Sequence, residues 1–167
     1  MEEQILQLLN SGQVENIILA FQLAKGIKFD ITNHAVKTYG QMISLEENSP
    51  LTILQADEKK FTADVMEEKI IKLLTAEDID LSHKMLSEVP KNIHLLKNAK
   101  LINLSGNWIT NISDNLLKTH AKTLTLSYNS LSIIPEELFQ MPTLESVFLQ
   151  NNPSLVLPNV KYIGSNL

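Results

Sequence analysis

Few residues of this chain could do chemistry, and most of them lie in one short segment. Asp78, Asp80 and Ser82 alternate just before His83, so a β-strand would place their oxygen atoms on one side. Such a row suggests a cation site. Calcium, however, takes about six to eight oxygen ligands, which a single strand cannot wrap around an ion. We therefore expect a hydrophilic sheet edge here, with no bound metal.

Catalytic chemistry has little support elsewhere in the sequence. The four histidines are scattered without metal-ligand spacing. No Gly-x-Ser-x-Gly turn presents a nucleophile, and the five glycines form no phosphate-binding loop. Cysteine is absent, which excludes disulfides, thiolate ligands and cysteine nucleophiles. We predict that the protein is not an enzyme, with no catalytic residue and no cofactor.

The charged residues argue against a nucleic-acid partner. All 14 basic residues are lysines, and the formal net charge is −5. Without arginine the chain lacks the side chain best suited to bidentate guanine and phosphate contacts. The amino terminus has no basic n-region, and no apolar run approaches the length of about 18 residues that a membrane span needs. We expect a cytoplasmic protein that binds neither nucleic acid nor membrane.

An internal repeat organises the second half of the chain. Four segments follow the pattern apolar-x-apolar-x-x-Asn-x-apolar, and their second apolar residues are spaced by 23, 22 and 23 positions. A short alternating run predicts a strand with one buried face, and stacking one such strand per repeat predicts a parallel sheet. We expect the strands to centre near these residues: Leu81, Leu104, Leu126 and Leu149.

Each strand motif is followed, in phase, by an apolar residue and usually by proline. These pairs are Val89-Pro90, Ile112-Ser113, Ile134-Pro135 and Leu157-Pro158. With both sub-patterns in phase, the segment from about Ile79 to the C-terminus resembles the leucine-rich-repeat family, in its bacterial cytoplasmic type. The resemblance implies an α/β fold with a short leucine-rich-repeat solenoid of about four repeats, which binds a protein partner on the open side of its sheet. The departures are Lys84 at the first asparagine position, Ser113 in place of proline, and a truncated last repeat.

The repeated asparagines have a structural interpretation. Asn107, Asn129 and Asn152 follow their strands at the point where the chain turns inward. A side-chain amide both donates and accepts, so each can satisfy backbone groups of adjoining turns. We therefore predict an asparagine ladder. Lys84 can only donate, which predicts that the first repeat lies at an edge where the ladder is unnecessary or broken.

Residues 1–78 have a different periodicity and predict an α-helical module. Thirteen acids and seven lysines fall in 1–78, against six and seven in 79–167, which supports two domains with this boundary. The module either caps the repeats or carries its own binding surface. The predicted helices are Glu3–Asn10, Gln13–Lys25, one from a Thr32 or Asn33 cap through Ile43, one after Ser49-Pro50, and Phe61–Leu74. A last short strand is predicted at Val160-Lys161-Tyr162.

The open side of the predicted sheet is the candidate partner surface. Phe148 interrupts small polar residues there, and aromatic side chains often anchor interfaces. Trp108 either joins this surface or packs back on the sheet edge. The strip covers only about 300 Å², against about 800 Å² in a standard interface, so a partner must also contact loops. The candidate residues are Asp80, Ser82, Asn103, Ser105, Thr125, Ser127, Tyr128, Phe148 and Gln150.

These features predict a non-enzymatic protein–protein interaction or scaffold module whose partner the sequence does not name. The alternative is a regulatory or substrate-recruiting fragment of a larger enzyme. An attached catalytic domain in the full reading frame would favour that alternative. The oligomeric state is left open by the sequence.

Overall fold

The computed structural model describes residues 1–46 and 62–157. Within these ranges the chain is an α/β protein with five α-helices and one four-stranded sheet in which all strands are parallel. The chain divides into two compact units. One comprises Met1–Ala76 with Leu95–Lys97, and the other comprises Glu77–His94 with the residues from Asn98 onward.

The first unit is helical in its described residues. Apolar side chains recur along each helix at the spacing that puts them on one face, and Ile5, Ile17 and Ile70 are fully buried. The helices are α1 Glu2–Leu9, α2 Val14–Gly26, α3 Thr32–Glu46 and α4 Ala63–Thr75. The helix predicted after Ser49-Pro50 lies outside the described residues.

The helix starts differ slightly from the predicted ones. Thr32 is the first residue of α3 rather than its cap, and its N–H donates to Asp30 Oδ1 at 3.0 Å. Thr62 caps α4, where its Oγ1 accepts from Val65 N at 3.4 Å. In both cases a side-chain oxygen accepts a hydrogen bond from a backbone N–H of the first helical turn, which has no partner within the helix.

Tyr39 links α3 to the end of α1. Its ring is fully buried, and its hydroxyl donates to Leu9 O at 2.7 Å. Burial raises the pKa of Tyr39 well above its ordinary value, with a smaller opposing effect from the Gly12 N–H. A phenolate is therefore strongly disfavoured at this position in the folded chain.

Alkaline pH should destabilise the helical unit through Tyr39. Because the folded pKa is raised, Tyr39 stabilises the fold fully below about pH 10, the ordinary tyrosine pKa, and that contribution falls as pH rises further. Urea unfolding between about pH 8 and about pH 11 should show a steeper loss of stability in the wild type than in Tyr39→Phe. The variant should cost about 1 kcal/mol at neutral pH through its lost hydrogen bond. Identical alkaline slopes for the two proteins would contradict this account.

The second unit carries the parallel sheet. Its strands are β1 Asp78–Asp80, β2 Leu101–Asn103, β3 Thr123–Thr125 and β4 Ser146–Phe148, in the order β1-β2-β3-β4. The prediction of parallel strands is confirmed. Their centres are Ile79, Ile102, Leu124 and Val147, which pair directly across the sheet.

The strands therefore lie two residues before the predicted centres. Backbone pairing does continue past them, since Leu104 N donates to Thr125 O and Leu126 N to Phe148 O, both at 2.8 Å. The chain then leaves the extended conformation, because Tyr128 and its counterparts in the other repeats have positive φ. This bend ends each regular strand early.

Short helical segments form the crossovers between strands. They are 3₁₀ helices at Ile93–Leu95 and Glu136–Gln140 and the four-residue helix α5, Asp114–Leu117. Pro135 precedes its segment with φ −66°. At the equivalent place Ser113 precedes α5 with φ −84° and makes no capping bond. Its Oγ is buried and has no hydrogen-bond partner among the described residues.

Replacing Ser113 by proline should stabilise the protein by about 0.5–2 kcal/mol. The backbone there is already close to the proline conformation, and the change both restricts the unfolded chain and removes an unpaired buried hydroxyl. Urea denaturation measures the gain, and Ser113→Ala should recover only the part that comes from the hydroxyl. A proline variant less stable than wild type would show that the local backbone cannot accept the ring.

Candidate functional site

The candidate site begins with a row of side chains that point away from the buried face of the sheet. Asp80, Asn103, Thr125 and Phe148 are direct partners across the four strands. Asp80 and Phe148 are exposed, whereas Asn103 and Thr125 are half-buried. Together with the row two residues further on (Ser82, Ser105, Ser127 and Gln150), they form what we call the open face.

The second row of the open face is less accessible to a partner than the sequence predicted. Ser127 is only 7% exposed, and its Oγ donates to Gln150 Oε1 at 2.8 Å. Ser105 donates to Asn103 Oδ1 from both its Oγ, at 2.7 Å, and its N–H, at 3.1 Å. Ser127 is thus the one buried residue of the open face, with its hydroxyl taken up by Gln150, and its contact with a partner stays a prediction.

A column of turn residues with left-handed backbone follows the strands. Positive φ values of 54°, 68°, 56° and 57° occur at His83, Gly106, Tyr128 and Asn151, one residue in each repeat. Gly106 suits this conformation, and an added Cβ there would lie 2.4 Å from the His83 ring. Asn also tolerates it, whereas Tyr pays a steric penalty. Of the four residues in this column, Tyr128 is thus the one whose side chain fits left-handed backbone least well.

Three large side chains in or next to this column are mostly exposed. Met85, Trp108 and Tyr128 are 73%, 62% and 64% exposed, and Met85 also has positive φ, at 56°. These three residues and the left-handed column make up what we call the exit edge of the sheet. Of the two alternatives for Trp108, its 62% exposure favours a place on this surface over packing back on the sheet edge.

Phe148 lies at the other end of the site, on β4. The residue is 37% exposed, so more than half of it is covered. A Phe148→Ala change is therefore expected to cost stability as well as any binding. Trp108 and Tyr128 are better probes of a partner surface because much less of each side chain is buried.

The asparagines hold the turns of the exit edge in place. Asn129 is 5% exposed, and its Nδ2 donates to Leu104 O at 2.9 Å and to Leu126 O at 3.1 Å. Its Oδ1 accepts from Ile109 N at 3.0 Å. One side chain thus satisfies backbone groups of its own repeat and of the preceding one. Asn152 makes the equivalent bonds to Leu126 O, Leu149 O and Leu131 N.

Asn107 shows why the first repeat needs no asparagine at position 84. Asn107 Nδ2 donates to Leu81 O at 2.8 Å, and its Oδ1 accepts from the N–H groups of Lys84 and Leu86, both at 3.0 Å. Each asparagine therefore bridges backward along the sheet. β1 is an edge strand, so position 84 has no preceding strand to bridge, and an amide side chain there would serve no such purpose.

Charged side chains lie both before the strands and on the open face. Before the strands, Lys100 Nζ lies 2.5 Å from Glu77 Oε1, and Lys122 Nζ lies 2.7 Å from Glu145 Oε1. These pairs are exposed and add little stability. On the open face, hydrogen bonds from the Ser82 hydroxyl and N–H lower the pKa of Asp80, so this carboxylate stays ionised.

The sequence alone did not identify Met85 or the left-handed column as part of the candidate site. Met85 follows the second strand apolar residue by four positions, as Trp108 does in the next repeat. Aligning the repeats on Leu81 and Leu104 would have placed both at the same turn position. The positive φ at Tyr128 had no such signal, because tyrosine is not a residue that marks left-handed turns.

The described part of the chain contains neither a cluster of metal-ligating side chains nor a membrane-spanning helix. No group of three or more histidine, aspartate or glutamate side chains is placed to hold a metal ion in residues 1–46 and 62–157. Over the same ranges, no helix combines the length and apolar character needed to cross a bilayer. Comparison of the sequence with protein-family models and with curated proteins gave no match.

Proposed function

We propose that this chain is a leucine-rich-repeat protein of the bacterial cytoplasmic type that binds another protein without catalysis. The proposed contact surface combines the open face with the exit edge. Support for the repeat assignment comes from the in-register strands, one per sequence repeat, and from the asparagine that bridges successive turns. No nucleic acid, membrane or cofactor takes part in the proposed function.

The single observation that carries the binding proposal is the placement of Tyr128. A tyrosine in left-handed backbone costs roughly 1 kcal/mol, and at 64% exposure the ring recovers little of that by burial. Met85 combines the same two disadvantages. Binding of a partner explains why side chains that destabilise the fold are nevertheless present and exposed, because the partner would cover them.

The exit edge also supplies contact area that the open face alone lacks. The open face contributes about 300 Å². Met85, Trp108 and Tyr128 each present on the order of 150 Å² more. The combined surface then approaches the roughly 800 Å² that one partner contributes to a standard interface. Tryptophan and tyrosine are also the residue types enriched among interface hot spots.

Capture of the partner with the intact chain, followed by titration, tests this proposal. Trp108→Ala should weaken the affinity for the captured protein at least about ten-fold, as expected for a hot-spot aromatic. The matched control is Ile133→Ala, which removes another exposed apolar side chain of the same unit, 67% exposed. Equal affinities for Trp108→Ala and wild type would place the partner elsewhere and overturn the proposal.

A further inference from the structure

The open face changes in chemistry from one side to the other. Its first row carries a carboxylate on β1, an amide on β2, a hydroxyl on β3 and an aromatic ring on β4, all in direct register. Neighbouring strands lie about 4.8 Å apart, so Asp80 and Phe148 are separated by about 14 Å. A ligand that crosses the strands would meet these four groups in sequence.

The β1 side of the row is acidic. Asp78 and Asp80 are both exposed and flank buried Ile79, so their carboxylates share the open face. Asp78 forms no ion pair with any described residue. Lys84 and His83 are the charged or titratable groups that act on Asp80, and one lysine does not neutralise two carboxylates. This side of the row therefore attracts a cation.

The middle of the row has unused hydrogen-bonding groups. Asn103 Oδ1 is occupied by Ser105, but Asn103 Nδ2 donates to none of the described residues. The Thr125 hydroxyl likewise has no described partner. Both residues are half-buried, so these groups lie at the surface of the sheet, where they can meet the carbonyl and N–H groups of a peptide backbone.

We propose that the open face binds an extended peptide segment that crosses the four strands, with lysine or arginine opposite Asp80 and an apolar side chain four residues away opposite Phe148. An extended chain advances about 3.3 Å per residue, so four residues cover about 13 Å. Residues an even number apart also face the same side. This inference rests on the proposed function and specifies the chemistry of the partner.

Selection from a random peptide library displayed on phage, with the intact protein as bait, tests this inference. The enriched peptides should share a basic residue and an apolar residue four positions apart, in either order. In titrations of these peptides, the double change Asp78→Asn, Asp80→Asn should weaken binding about three- to ten-fold, the loss expected for one or two exposed ion pairs. Glu88→Gln removes an exposed acid away from the row and should leave the affinity unchanged.

The outcomes separate this inference from the function on which it rests. Two results would refute the peptide chemistry but leave the proposed binding surface intact. In one, the peptides lose affinity in Trp108→Ala or Phe148→Ala but not in the double aspartate variant. In the other, the enriched peptides lack a basic residue. Thermal melts check that the Phe148 variant remains folded. Peptides insensitive to all these changes, or no enrichment over an unrelated bait, would overturn the peptide inference. The proposed function falls as well only if the captured protein also binds Trp108→Ala as tightly as wild type.

Discussion

Replacing Asn129 by alanine should lower the free energy of unfolding by about 2–3 kcal/mol. Asn129 is buried, and its amide holds two carbonyls, Leu104 O and Leu126 O, and one N–H, that of Ile109. Alanine leaves these groups without the partner, and a buried group left unpaired costs about 1–3 kcal/mol. The loss stays below the sum for three groups because water can reach some of them once the side chain is gone.

Urea denaturation of Asn129→Ala and Lys84→Ala measures this effect against a matched control. Lys84 occupies the corresponding position in the first repeat but is not a buried bridge, so its change should cost well under 1 kcal/mol. Equal losses in the two variants would show that the asparagine bridge contributes little. The amide would then fill space at this turn without supporting it.

Replacing Tyr128 by glycine should change stability and binding in opposite directions. Glycine adopts positive φ without the steric strain of tyrosine, so the free energy of unfolding should rise by about 0.5–1 kcal/mol. Removing the exposed ring should weaken the affinity for the captured partner at least about ten-fold. Opposite signs in one variant distinguish a binding residue from a structural one.

Thermal melts and a titration on the same sample measure the two effects. Tyr128→Asn provides a second variant, because asparagine also tolerates left-handed backbone and occupies the equivalent position 151. It should keep most of the stability gain and still lose affinity. A variant that loses both stability and affinity would mean that the ring supports the fold and that the turn is not strained.

Much of the sheet is predictable from the sequence because its signals are local and repeated. Alternation around Ile79 and its counterparts predicts strands, and the constant spacing predicts parallel order. The asparagine positions are informative for the same reason, since a polar amide recurring in an apolar pattern needs a buried partner. The predicted strand centres lay two residues after the observed ones, because the sequence pattern does not show where a residue with positive φ ends the extended backbone.

Exposure on the candidate site was harder to predict because it depends on neighbours in other repeats. Ser127 alternates like an exposed residue, yet its hydroxyl is taken up by Gln150 of the next repeat. Phe148 is partly covered although its position is on the open face. Tyr128 and Met85 stand out only when backbone angle and exposure are considered together, and neither quantity can be read from residue type.

The most direct test of the proposed binding surface uses the single tryptophan of the chain. Protein labelled with 5-fluorotryptophan gives one ¹⁹F resonance, from position 108, even when the partner contains tryptophan of its own. In the free protein the side chain is 62% exposed, so the resonance should respond to solvent. Saturation with the captured partner should shift the resonance and remove that response, whereas an unchanged resonance would contradict burial of the exit edge in the complex.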